Sequence, residues 1–283
     1  MSRRAAIALG IVALWLAGIA ALTRRELFRG EDALLANAAL HVAPGAMYYT
    51  VRQGDDRVGF ASSTIDTTVV SFVLSELLIT STPDTSAGAH GQRRFAARSM
   101  ATLTRGLRLS RFNYQTRGRG TTSSATGVVY GDSLLELSQG ENGKRPDTAR
   151  LALHGPPLVP GMLPMLLALV DKPSPGTSRT ATIFDPIADS LTSATVHVVA
   201  ESLFVVVDSA ALVPGTVRWV AAHSDTVRAW KMEQQGGGII NGWFDERGLL
   251  VEGEPVPGLT MHRTAYEIAF NNWRNGIPES KDR

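Results

Sequence analysis

The chain has 283 residues, 44% of them hydrophobic and 19% charged, with a net charge of +2 and no cysteine. With Arg3, Arg4, Arg24 and Arg25 set aside as flanks of the first apolar run, 24 basic side chains face 26 acidic ones, all of the latter at position 26 or beyond. That balance excludes the clustered basic face of a nucleic-acid binder. The missing thiols exclude cysteine nucleophiles and disulfide frameworks, and fit an oxidising compartment without requiring one.

The first element is the run Ala5 to Leu22 (AAIALGIVALWLAGIAAL), eighteen uncharged and mostly apolar residues. At about 1.5 Å per residue it reaches about 27 Å, close to the ~30 Å hydrocarbon core of a bilayer. Its length and flanks predict a membrane anchor, or uncleaved signal, over residues 1–25. The alternative is a signal peptide removed on secretion. Arginines stand on both sides in similar number, so charge does not orient the segment. Residues 26–45 follow as a helical spacer, with Leu34, Leu35, Ala38, Ala39 and Val42 at helical spacing and Pro44-Gly45 as the stop.

From residue 46 the period changes to two, and residues 46–275 read as one antiparallel β domain. Strands are predicted over 48–53 and 57–66, about a Gly54-Asp55-Asp56 turn, and over the β-branched run 67–80. A loop rich in Pro, Asp and small residues spans 81–92. Further strands over 94–104, 107–116, 121–130 and 133–138 recur at about ten-residue intervals, the rhythm of a meander or barrel.

The rhythm breaks at 156–175, where MLPMLLALV (162–170) lies among prolines and is apolar on nearly every side. It is too short to span a bilayer and is expected to be a buried helix, with Pro164 in its first turn. Strands resume over 179–184, 193–199, 203–207, 217–223, 227–234 and 239–244. Asp245-Glu246-Arg247-Gly248 is a hairpin turn with glycine available for a positive φ. Residues 260–269 either close the sheet or open a helix, and 276–283 form a polar tail. The expected fold is mainly β with few helices: an N-terminal transmembrane helix, then a large curved antiparallel sheet, a half-barrel, packed on a short apolar helix.

The apolar helix with its Pro-Gly exit, ATIFDP (181–186), the Val-rich strand ending near Glu201, the strand with Trp219, and GWFDERGLLVEGEPVPGLTMHRTAYEIA (242–269) together resemble a group of bacterial exported β domains of unknown function. Related domains stand upstream of transglutaminase-like cores, and the architecture is similar to the half-barrel of the outer-membrane lipoprotein carrier. The very short N-terminal tail, as export signals have, and the absence of thiols place the body outside the cytoplasm, and the expected location is a periplasmic body on a single pass through a bacterial inner membrane. The transglutaminase core, which needs a Cys nucleophile, is absent.

Catalytic signatures are missing: there is no nucleophile elbow, Walker A loop or His-Glu-x-x-His pair. The six His, at 41, 90, 154, 197, 223 and 262, show no metal-ligand spacing. No catalytic, cofactor or metal residue is therefore assigned, and no cofactor is expected. The expected function is a membrane-tethered, extracytoplasmic, non-enzymatic domain binding a lipid or other apolar ligand. Leu158, Met162, Leu166, Phe184, Trp219, Trp230 and Trp243 are the candidate pocket lining; the competing reading has them simply filling the core. The alternative function is an interaction module or accessory subunit of an envelope protein assembly.

Overall fold

The computed structural model describes residues 42–277 apart from 84–91, 119, 132, 154, 186–189 and 237–240, together with Trp15, Ala39 and Leu40. The strands run β1 (Gly45–Gln53), β2 (Asp56–Thr67), β3 (Ser71–Pro83), β4 (Gln92–Thr104), β5 (Leu109–Gly118), β6 (Thr121–Tyr130), β7 (Leu134–Glu141) and β8 (Asp147–Ala152). Helix α1 (Met162–Leu166) continues into a π-helical turn (Leu167–Asp171). Then come β9 (Ser178–Asp185), β10 (Ser190–Leu212), β11 (Trp219–Gln235), β12 (Asn241–Asp245), β13 (Leu250–Val256), β14 (Leu259–Thr264) and a second π-helical turn (Glu267–Asn272).

All fourteen strands form one antiparallel sheet, in the order β8-β7-β6-β5-β4-β3-β2-β1-β14-β13-β12-β11-β10-β9. Two meanders, β1 to β8 and β9 to β14, are therefore joined side by side through the β1–β14 pair, Tyr48 opposite Thr264 and Thr50 opposite His262. The two end strands approach each other. Leu153 N–H donates to Ser133 O (2.8 Å) beside β8, while Leu158 bonds Thr182 and Phe184 on β9 (2.9 and 2.8 Å). Five residue steps of at most about 3.6 Å separate those anchor points, so the sheet is curled but not closed.

α1 sits inside the curl because it has no polar face to offer water: Met162, Leu163, Met165, Leu166 and Leu167 are all buried. They share one core with inward residues from both meanders, among them Phe72, Leu103, Leu137, Val196 and Met232. The opposite side of β1 and β2 is covered by the second π-helical turn. Tyr48, Phe60, Tyr266 and Phe270 meet there at ring-centroid distances of 5.0 to 6.3 Å, and Asn272 clasps the Trp219 backbone through two hydrogen bonds, 2.9 and 2.8 Å.

The curved antiparallel sheet on a short apolar helix agrees with the sequence reading, with three corrections. The region 193–234 is two long strands rather than four: Glu201-Ser202 and Ser224-Asp225 look like turn material, but lie on a largely solvent-exposed hairpin where polar side chains do not interrupt pairing. Bulges at Val199 and Asp208 on β10 and at Ala222 on β11 take up the irregularity. β8 was not expected from its polar sequence DTARLA, although Asn142-Gly143, both at positive φ (52° and 73°), makes the tight turn that leads into it. Residues 259–272 both close the sheet and open a helical turn.

Apart from Trp15, the anchor expected over 1–25, together with the polar tail beyond Ile277, most of the spacer and the centre of the 81–92 loop, lies outside the described residues. The spacer's Ala39 is buried in the main core, and Val42 packs against it. Among the described residues no helix is long and apolar enough to cross a membrane.

Candidate functional site

Between α1 and the inward side of β2 to β5 lies a cavity of about 390 Å³. Its walls come from Leu74 and Leu78 on β3, Ala97 on β4, Phe112 on β5, Pro164 and Met165 on α1, Phe244 on β12, and Leu250 and Met261 beyond. The volume lies within the roughly 300–1,000 Å³ of small-molecule sites, and the lining is mainly apolar, as such sites require.

One group breaks the apolar character. On β3 the residues Phe72, Leu74, Glu76, Leu78 and Thr80 alternate onto one side, so Glu76 stands where the period calls for an apolar residue. In the sheet it faces Ser63 of β2 and Ser99 of β4, and Ser99 in turn faces Tyr114 of β5. These four form a polar row across the inner wall, and all four line the cavity. The Glu76 side chain is enclosed by protein yet keeps accessible surface, because it points into the cavity. Burial holds its carboxyl above the ordinary carboxylate range. Among the described residues it has neither a hydrogen-bond partner nor an ion pair. Gly161, just before α1, makes room for it: a β-carbon there would lie 2.9 Å from Glu76 Oε1.

Beside the cavity is a buried ion pair that fixes the β12–β13 turn. Arg263 of β14 meets Asp245 Oδ2 at 2.8 Å and donates to the Leu249 and Leu250 carbonyls. Asp245 Oδ1 accepts from the backbone of Arg247 and Leu249. Tyr49 lies against Arg263; burial pushes its phenol above the usual range, with the guanidinium pulling the other way. The turn's Gly248, at φ 72°, presses on α1, where a β-carbon would come within 2.3 Å of Met165 Cα.

The seven residues expected to line a pocket lie elsewhere. Leu158, Met162, Leu166, Phe184 and Trp230 are packed into the main core. Trp243 meets Phe204 at a centroid distance of 5.1 Å, the rings tilted by 55°, in a satellite cluster, and Trp219 is held by Asn272. None of them lines the cavity, whose walls are instead their chain neighbours Val159, Met165 and Phe244. The reason is geometric, since alternation along a strand and rotation along a helix turn neighbours in different directions. The sequence signal for the cavity was Glu76, a charge on an apolar parity.

No family model matches the chain. No curated protein matches it. Solved structures do: the chain is similar to the crystal structure of a β-barrel-like protein of a domain of unknown function from Brucella abortus, 11% identical, with a TM-score of 0.48, covering 78% of this chain and 94% of that one. At that level the architecture rests on the strand pairing described above.

Of the described histidines, His197 pairs opposite Glu233 near the base of the β10–β11 hairpin, whereas His223 lies about ten residues, or roughly 33 Å, further along β11. The two do not meet. His223 Nδ1 is 2.9 Å from Asp208, and Asp225 completes an exposed trio whose donor atoms lie within 4.8 Å of one another. An exposed ion pair accounts for that arrangement.

Proposed function

We propose that the domain holds an apolar ligand, a lipid or other amphiphile, in the cavity between α1 and the inner wall of the half-barrel, and that it does so as a non-enzymatic carrier or sensor. The observation that carries this reading is an apolar cavity of about 390 Å³ with one carboxyl directed into it. An apolar space left open forfeits packing on all its walls, so a native occupant that restores those contacts is favoured.

The chemical test is solvent extraction of the purified full chain followed by mass spectrometry of the extract. A single lipid class recovered from the wild type and lost from Ser99→Trp, which fills the cavity, supports the reading; an empty extract from both opposes it. The proposed setting is the extracytoplasmic side of a bacterial inner membrane, tethered through Ala5 to Leu22. Protease should then digest the body in spheroplasts but not in intact cells, and protection in spheroplasts would oppose that placement.

A second reading, a subunit of an envelope assembly, draws on the β10–β11 hairpin, where Leu203 and Val205 are 65% and 76% exposed. Crosslinking from membranes should then return one stoichiometric partner through this hairpin, and its absence would count against that reading.

A further inference from the structure

We infer that Glu76 makes the cavity selective for an apolar ligand with a basic head, a long-chain amine or similar cationic amphiphile, over one with a carboxylate head. This rests on the ligand-binding reading above and deepens it.

The first ground is placement. Glu76 is exposed to the cavity from the middle of an inward strand face whose neighbours along β3 are Leu74 and Leu78, and it is the one charged side chain among the described residues that line the cavity. The second is charge. The buried acid beside the cavity, Asp245, is matched by Arg263 at 2.8 Å, whereas no described cation is paired with Glu76. The third is room, since Gly161 leaves the carboxyl space at the entry to α1 that a side chain there would take.

Solvation sets the sign of the selectivity. An ammonium entering the cavity brings a counter-charge to the Glu76 carboxyl and donates a charge-assisted hydrogen bond to it, with Ser63 and Ser99 in reach as polar neighbours. A carboxylate head would place a like charge against Glu76, or require both to be protonated. A neutral alcohol gains only an ordinary hydrogen bond.

The test is calorimetric titration of the full chain at neutral pH with dodecylamine, dodecanol and dodecanoate, each below its micellar concentration. The inference expects the amine to bind at least about tenfold tighter than the alcohol, with dodecanoate weakest, and Glu76→Gln to bring amine and alcohol to within about twofold of each other. Alcohol or carboxylate binding as tight as the amine overturns the inference while leaving the cavity reading in place, as does an amine preference that survives Glu76→Gln. Failure of all three probes on the wild type overturns both. The three-probe ranking needs no variant, so poor folding of Glu76→Gln does not remove the test.

Discussion

Phe112 on β5 and Phe184 on β9 lie with ring centroids 5.0 Å apart, although nine strands stand between theirs in the sheet. Only a sheet curled back on itself brings them together, and both rings are almost fully buried. Phe112 also lies over Gly127 of β6, where a β-carbon would come within 2.0 Å of the ring. Phe112→Ala and Phe184→Ala are each expected to cost about 3–5 kcal/mol. The double variant should cost less than their sum by roughly 0.5–1.5 kcal/mol. Urea unfolding of the four proteins checks this, and strict additivity would mean that the curl does not depend on that contact.

Gly248 and Gly258 separate backbone conformation from space. Both have positive φ, 72° and 78°, but a β-carbon at Gly248 runs into α1 whereas one at Gly258 meets nothing within 4 Å. Gly258→Ala should therefore cost about 1–2 kcal/mol, and Gly248→Ala clearly more, because the turn must lift off Met165. Equal thermal shifts for the two would argue against direct packing of the turn on the helix.

Removing Asp245 leaves Arg263 buried without its counter-charge. Asp245→Ala is expected to destabilise by about 3–5 kcal/mol, and Asp245→Ala with Arg263→Met by less than the summed single effects. A double-mutant cycle in denaturant reads the difference.

Glu76 gives stability a pH dependence whose sign follows from its raised pKa. Below the unfolded value near 4.5 the carboxyl is protonated in both states, so Glu76→Gln should change little. Above it the unfolded chain ionises first, and the wild type loses stability until pH passes the raised folded value. Glu76→Gln should thus melt with the wild type at pH 4 and above it at pH 8, as differential scanning calorimetry would show. A destabilised variant at pH 8 would instead mean that the carboxylate has a partner.

The exposed His223 titrates above its ordinary value because Asp208 accepts a hydrogen bond from its ring, with the Asp208 and Asp225 charges adding to the effect. Any stabilisation from the pair is present between the unfolded Asp208 value near 3.8 and the unfolded His223 value near 6.5; it fades as pH rises through the raised His223 value or falls through the lowered Asp208 value. In NMR titrations Asp208→Asn should lower the His223 pKa, and an unchanged value would mean that Asp208 is not its partner.

The strand rhythm, the buried helix and the Asp245–Gly248 turn were legible because period, proline and glycine are local signals. The order of the sheet was not, since the β1–β14 pair joins residues more than two hundred positions apart. Large apolar residues pointed to the core rather than to the cavity: Met162, Phe184 and Trp230 pack too well to leave space, and space is where a binding site lies. Glu76 was visible in FVLSELLIT (72–80) as a charge on an apolar parity, but its parity meant nothing until Phe72 and Leu74 were known to face inward.

The central claim, an occupied cavity beside Glu76, is tested most directly by the native mass spectrum of the full chain after mild extraction. It predicts one adduct of lipid size per chain, displaced by excess dodecylamine. A clean mass for the bare chain, unchanged when dodecylamine is added, would contradict it.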